Sequence, residues 1–276
     1  MGSRVPAGQN RRRRATLSRQ PNVLFDAHLH PETLSDLDLE SLRAFGVERA
    51  VALGHHFPEP TSRGLRAHFR DLLEVQLPRL ERAGVRGYLA LGIHPRAIPR
   101  RGLHDVLAAL PELFRGGRVV ALGEIGFHRG GPDEEEALVE QLELARRLSL
   151  RVVLHTPALD KERWTRRLLA LVRTHGPEPG RVLVEHASAR TVPLILARGH
   201  WAGLTVQVGE LTADRAVQLV RRLGSRRLTL GSDAGDRPGD LLGLPRAVHL
   251  LERAGLGKVL VGRLAFRNAQ RFFGVE

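Results

Sequence analysis

The chain has 276 residues and no cysteine, and its 43 basic and 30 acidic side chains leave a formal net charge of +13. That length suits a single β/α barrel of about 250 residues and is ample to bury a core without staples. The missing thiols exclude disulfides and thiolate zinc sites, leaving any metal to nitrogen and oxygen donors, as suits Zn, Mn, Fe or Mg.

Residues 1–21 are rich in Gly, Arg and Ser and poor in apolar side chains. They bury too little surface to offset chain entropy, which predicts a disordered basic tail ahead of one domain spanning residues 22–276. Arg4, Arg11 to Arg14 and Arg19 precede the first acid, Asp26, so the tail carries much of the charge excess. The paired arginines lack the apolar stretch of an export signal. No run reaches the roughly 18 apolar residues of a membrane helix. A cytoplasmic location without a membrane partner is therefore expected. An Arg-, Ala-, Leu- and Gly-rich composition is also what GC-rich codon usage writes, so bulk charge says little about nucleic acid.

After the tail, short apolar runs alternate with longer amphipathic ones. The runs are Val23–Asp26, Ala50–Leu53, Gly87–Ile93, Arg118–Leu122, Val152–Leu154, Val182–Val184, Ala202–Val206 and Leu228–Leu230. Consecutive apolar positions of this kind predict parallel strands buried on both faces. Helical periodicity falls between them, over Glu134–Leu148, Trp164–Val172, Ala213–Leu223 and Leu241–Ala254. Strict alternation predicts an α/β fold, here a TIM-like (β/α)8 barrel, with an open doubly wound sheet as the alternative. Gly84, Gly117, Gly180 and Gly224 fall between helix and strand, where a left-handed residue is wanted. Thr212 and Asp240 suit helix N-caps.

Six residues able to bind divalent metals sit just past predicted strand ends: His28 and His30, Glu124, His155, His186 and Asp233. A barrel gathers those ends around one mouth. His28 and His30, two apart on a strand, point the same way and can grip one ion. His155 and His186 can hold a second, with Glu124 bridging the two. Asp233 closes the ring beside the first strand, where it can bind the first ion and accept a proton from water. Two divalent ions acidify water toward a pKa of about 7 and stabilise the attacking and leaving oxygens of a phosphoester. No side-chain nucleophile is then needed.

In this order His-x-His, Gly-Glu-Ile-Gly, Val-Leu-His, His and Ser-Asp, the chain resembles the TatD-type metal-dependent hydrolases of the amidohydrolase superfamily. Gly92-Ile93-His94-Pro95 is similar to that family's Gly-x-His-Pro, and Asn268 to Gly274 to its C-terminal helix. The resemblance covers residues 23–274. It implies a binuclear divalent metal site on the six residues named and hydrolase chemistry, the best-known members being deoxyribonucleases acting on phosphodiesters. Several positions depart from the nuclease-like members. Phe127-His128 replaces Leu-Asp, Thr156-Pro157 replaces a segment with arginine, Ala187-Ser188-Ala189 replaces an aromatic segment, and Ser232-Asp233 is followed by Ala234-Gly235 rather than proline. The chain thus resembles a divergent branch.

Further candidates for substrate contact are His94, His55, His56, His128 and Arg96, all on predicted loops at the mouth. Asp26 is expected to hydrogen-bond backbone at the rim. Glu185, by alternation with His186, is expected to face the helix layer and pair with an arginine. Trp201 is expected at the closed end. The leading reading is a phosphoester hydrolase acting on a small-molecule or nucleic-acid substrate. An amidohydrolase- or lactonase-like enzyme for a small metabolite is the first alternative, to be distinguished by a small pocket rather than an open basic groove. A basic nucleic-acid or protein-binding scaffold is the non-enzyme alternative.

Overall fold

The structure, a computed structural model, describes residues 23–54, 60–236 and 239–276. The predicted tail and the candidates His55 and His56 lie outside the described residues.

The strands are β1 (Leu24–Leu29), β2 (Val47–Leu53), β3 (Arg86–Ala90), β4 (Val119–Gly126), β5 (Val152–His155), β6 (Val182–Val184), β7 (Trp201–Thr205) and β8 (Leu228–Gly231). They pair in parallel in chain order, for example Arg49–Leu53 against Arg86–Ala90. At the mouth the last strand meets the first. Asp233 N donates to His28 O at 2.8 Å, His30 N donates to Ala234 O at 2.7 Å, and Leu29 bridges Ala234. The sheet therefore closes into a TIM barrel, and the open-sheet alternative falls away.

Helices wrap the outside: α1 (Asp36–Ala44), α2 (Ser62–Asp71), α3 (Leu77–Arg82), α4 (Leu103–Leu113), α5 (Pro132–Arg147), α6 (Lys161–His175), α7 (Thr191–Ala197), α8 (Ala213–Leu223), α9 (Gly243–Arg253), α10 (Lys258–Gly262) and α11 (Asn268–Phe273). Their ends follow local chemistry. The α5 helix starts on Pro132 with three acids in its first turn and ends on Arg146 and Arg147, which complements the helix dipole. Thr212 caps α8 by accepting from Arg215 N. Gly84, Gly117 and Gly224 take positive φ as expected. Gly180 does not: it lies inside the short turn Pro179–Arg181. Asp240 precedes the α9 cap position, Leu242, and its carboxylate accepts from Leu242 N at 3.0 Å.

Two apolar zones result. One side of each strand packs on the helices, as Leu24, Val152 and Leu228 do with Leu138, Leu142 and Leu219. The other side fills the barrel with Phe25, Val51, Val153, Leu183 and Trp201, joined by Phe272 and Phe273 of α11. Phe273 stacks 6.2 Å from Phe25 and Phe272 lies 5.7 Å from Trp201, so α11 plugs one end. Each fully buried aromatic contributes roughly 1.5–3 kcal/mol. With that end sealed by hydrocarbon, polar side chains on the inner wall collect at the other, where the strands end.

Candidate metal centre

Strand β1 delivers the first two donors through a break in its regularity. Phe25 and Ala27 face the barrel interior, Leu29 faces the helices, and the pairing with β2 shifts register between Asp26 and Leu29. The shift turns His28 and His30 inward together. Asp26 pins it: its Oδ1 accepts from His28 N at 3.1 Å and from Ser232 N at 2.9 Å, tying β1 to the end of β8. Asp26 is fully buried, and burial lifts its carboxyl to about 6 against these hydrogen bonds. It serves backbone, as expected, within the wall rather than at the rim.

The inward groups converge closely. His28 Nε2 and His30 Nε2 lie 3.1 Å apart, and Asp233 Oδ1 is 3.3 Å from the first and 3.0 Å from the second. Across the mouth, Glu124 Oε1 is 3.0 Å from His155 Nδ1 and 3.1 Å from His186 Nε2. Its Oε2 faces His28 Nε2 at 3.7 Å and His94 Nε2 at 3.9 Å. All six predicted donors therefore meet, and Glu124 occupies the middle. Among the described residues, three donor groups are tight enough to hold an ion: His28, His30 and Asp233; His28, Glu124 and His186; and His94, Glu124 and His155.

The donor set fits a divalent cation. Two imidazole Nε2 atoms and a carboxylate oxygen converging at these distances are reconciled only by a proton or a metal between them. Charge tells the same story. Burial pushes the His28 imidazole down, but Glu124, Glu185 and Asp233 prevail and raise it to about 10. Burial opposes the Asp233 and Glu124 charges, yet the surrounding imidazoles hold both well below the usual carboxylate range. The His155 imidazole is lowered by burial despite Glu124 beside it.

Backbone strain accompanies the donors. His186 and Asp233 both take left-handed φ of 54°, a region non-glycine residues rarely occupy and that commonly marks functional sites.

Around the donors lies a cavity of about 70 Å³ whose lining includes His94, Arg96, His128, Gln207 and Asp236. His94 is buried, and its Nδ1 accepts from Arg96 N at 3.1 Å. A neutral His94 thus carries its proton on Nε2, directed into the site as a donor. His128 is half-buried, its ring centroid 6.2 Å from that of His155. Burial and the neighbouring His155 push its imidazole down. Arg96 is exposed and reaches the same cavity.

Several residues that position these groups are not evident from sequence. Glu134 of α5 accepts from the backbone N–H groups of His128, Arg129 and Gly130, fixing the loop after β4. Gln141 clamps Ile93, accepting from its N at 2.7 Å and donating to its O at 3.2 Å, which places His94. Capping-type spacing hints at Glu134, but nothing in the pattern marks Gln141. The expectation for Glu185 is overturned. It is fully buried and faces the barrel interior, 3.7 Å from His28 Nδ1, with no arginine partner among the described residues. The left-handed turn at His186 breaks the alternation, so neighbouring residues both point inward.

Fold and donor set together define a barrel hydrolase that depends on metal. The family model for TatD related DNases matches residues 25–239, and the chain belongs to that family. It is 29% identical to an uncharacterised metal-dependent hydrolase of Methanocaldococcus jannaschii, over 91% of this chain and 99% of the relative. Among solved structures, a TatD-like protein of Archaeoglobus fulgidus superposes with a TM-score of 0.78 at 32% identity, covering 91% of this chain and all of the other. The Escherichia coli phosphotriesterase homology protein shares the fold at a TM-score of 0.69 and 15% identity, over 92% of this chain and all of that one. Among the described residues no helix is long and apolar enough to cross a membrane.

Proposed function

We propose that the domain spanning residues 22–276 hydrolyses a phosphoester, holding a pair of divalent ions on His28, His30, Glu124, His155, His186 and Asp233. The convergence of these six side chains at one mouth, in overlapping groups that share Glu124 and His28, carries the reading. Divalent ions held on these residues would acidify water and offset negative charge on a phosphoester's oxygens. The chain's own groups do the rest. Asp233, kept ionised by His30 and His28 and lining the cavity, accepts the proton of the attacking water at its carboxylate. His94 Nε2–H and Arg96 orient the substrate's anionic oxygens, and Gln207, donating to Asp233 O at 3.3 Å, steadies the loop that carries Asp233.

The extent of the substrate is suggested by a second cavity. The small one meets a cleft of about 670 Å³ at Ala158, Gly209 and Glu210, and Lys161, Arg190, Arg215 and Arg222 line that cleft. Lys161 is engaged by Glu210 and His186 O. Arg190 and Arg215 have no acidic partner among the described residues. A basic cleft next to a phosphoester site favours a substrate carrying further phosphates, as a nucleic-acid strand does.

Metal analysis of the purified protein, followed by Zn-, Mn- and Mg-dependent assays on bis-p-nitrophenyl phosphate and single-stranded DNA, tests this. Cleavage of both substrates with about two ions per chain supports it. In the R190A/R215A double variant the KM for DNA should rise while the small ester is unaffected. Metal uptake with cleavage of neither substrate points instead to a carboxylic ester or lactone.

A further inference from the structure

Glu185 is a fully buried acid with one oxygen, Oε1, lacking any hydrogen-bond partner. Burying a charge in this way costs several kcal/mol unless it is paired, and a residue serving only to fill space would be apolar. The wall around it is shaped to admit the carboxylate: at Gly203 on β7, a Cβ would lie 2.0 Å from Glu185 Oε2.

Its neighbours are the outward faces of two donor histidines. His28 Nδ1, buried with no hydrogen-bond partner, has Glu185 Oε2 facing it at 3.7 Å. Thr205 Oγ1 contacts the same oxygen at 3.5 Å and lies 3.2 Å from His186 Nδ1. A threonine hydroxyl has one proton. Thr205 gives its proton to Glu185 Oε2. It must then receive the proton of His186 Nδ1, alongside the backbone N–H of His186 at 3.3 Å.

We infer that Glu185 is a positioning residue that, directly for His28 and through Thr205 for His186, keeps a proton on Nδ1 and turns both Nε2 lone pairs toward the metal site. The inference rests on the proposed role of His28 and His186 as ligands. One buried carboxylate thereby orients donors in two of the three tight groups, the arrangement by which outer partners fix imidazole tautomers at metal sites.

The test is zinc affinity by chelator competition for the wild-type chain and the variants Glu185→Leu, Glu185→Gln and Thr205→Val, with melting temperatures of the metal-free proteins alongside. Long-range proton–nitrogen NMR of the zinc-loaded chain reads which ring nitrogen of each histidine is protonated. Glu185→Leu should weaken zinc binding about 10–100-fold. Glu185→Gln, whose amide oxygen still accepts from His28, should recover part of that loss. Thr205→Val should disturb the protonation of His186 and leave His28 unchanged. Wild-type affinity in Glu185→Leu, with Nδ1 still protonated on both rings, overturns the inference. If that variant does not fold, unchanged affinity and an unchanged His186 ring in Thr205→Val do the same. A wild-type chain that takes up no zinc overturns the metal reading itself.

Discussion

Metal uptake should expel protons. In the metal-free chain His28 holds its proton to about 10, because Glu124, Glu185 and Asp233 outweigh the burial that disfavours its charge. His30 and His186 are also raised, by Asp233 and Glu124 respectively, against the same burial. Ligation needs the Nε2 lone pair, so the His28 Nε2 proton must leave when an ion enters. His28 stays protonated through neutral pH, and each displaced proton steepens apparent affinity about tenfold per pH unit. Between roughly pH 6 and pH 8 zinc should therefore bind at least about 100-fold more tightly, with more if His30 and His186 also yield protons. Calorimetry in buffers of different ionisation enthalpy counts the protons, and chelator competition across that range gives the slope. Stability follows with a defined sign. A raised imidazole contributes stability in full below its unfolded value of 6.5, lost as pH climbs through about 10. The metal-free protein should thus melt at lower temperature as pH rises through this window, and the zinc-loaded protein should not show that loss. PH-independent affinity with no proton release would refute the charge balance drawn for the site.

Three substitutions probe other parts of the argument. Glu124→Ala removes the carboxylate that touches His155, His186 and His28, so elemental analysis should find the bound metal lost. Asp233→Asn keeps an oxygen beside His30 but removes the proposed proton acceptor. Much of the metal should remain, while turnover of a phosphodiester falls about 10²–10⁴-fold; intact turnover would assign the base elsewhere. Glu134→Ala strands the N–H groups of His128, Arg129 and Gly130. About 1–3 kcal/mol should be lost, read as a lower melting temperature, with metal content unchanged.

The sequence is a good guide where side chains obey the period of their element. On β5, Val153 and His155 sit on the inner wall two apart, and on β8 the inner wall runs through Gly231, whose Cβ would meet His28, to Asp233. The strand positions, the closed end at Trp201 and the gathering of the six candidate donors at one mouth follow from such spacing. Glu185 is where that logic misleads, because alternation sends it outward and only the left-handed φ of His186 brings it in. Gln141 is hidden for another reason. Its work is done on the backbone of Ile93, far away in sequence, and no local pattern in α5 announces which loop will lie above it.

The breaks in periodicity have a common cause. A regular inner wall offers one inward side chain every second residue, and neighbouring strands of a barrel are staggered. Regular strands alone would spread donors over several levels. Bringing His28, Glu124 and His186 within 4.8 Å of one another requires local changes of phase. On β1 the change is the register shift that Asp26 pins. On β4 it is the shift between Leu122 and Ile125, which turns Glu124 inward after Ala121. After β6 it is the left-handed His186. Each of these three changes lies at or next to a candidate donor, whereas β2 pairs with β3, and β7 with β8, in unbroken register; further shifts fall at Leu24/Phe25 and between β3 and β4. At these three places the departure from regular strand geometry is what lets a side chain reach the common centre.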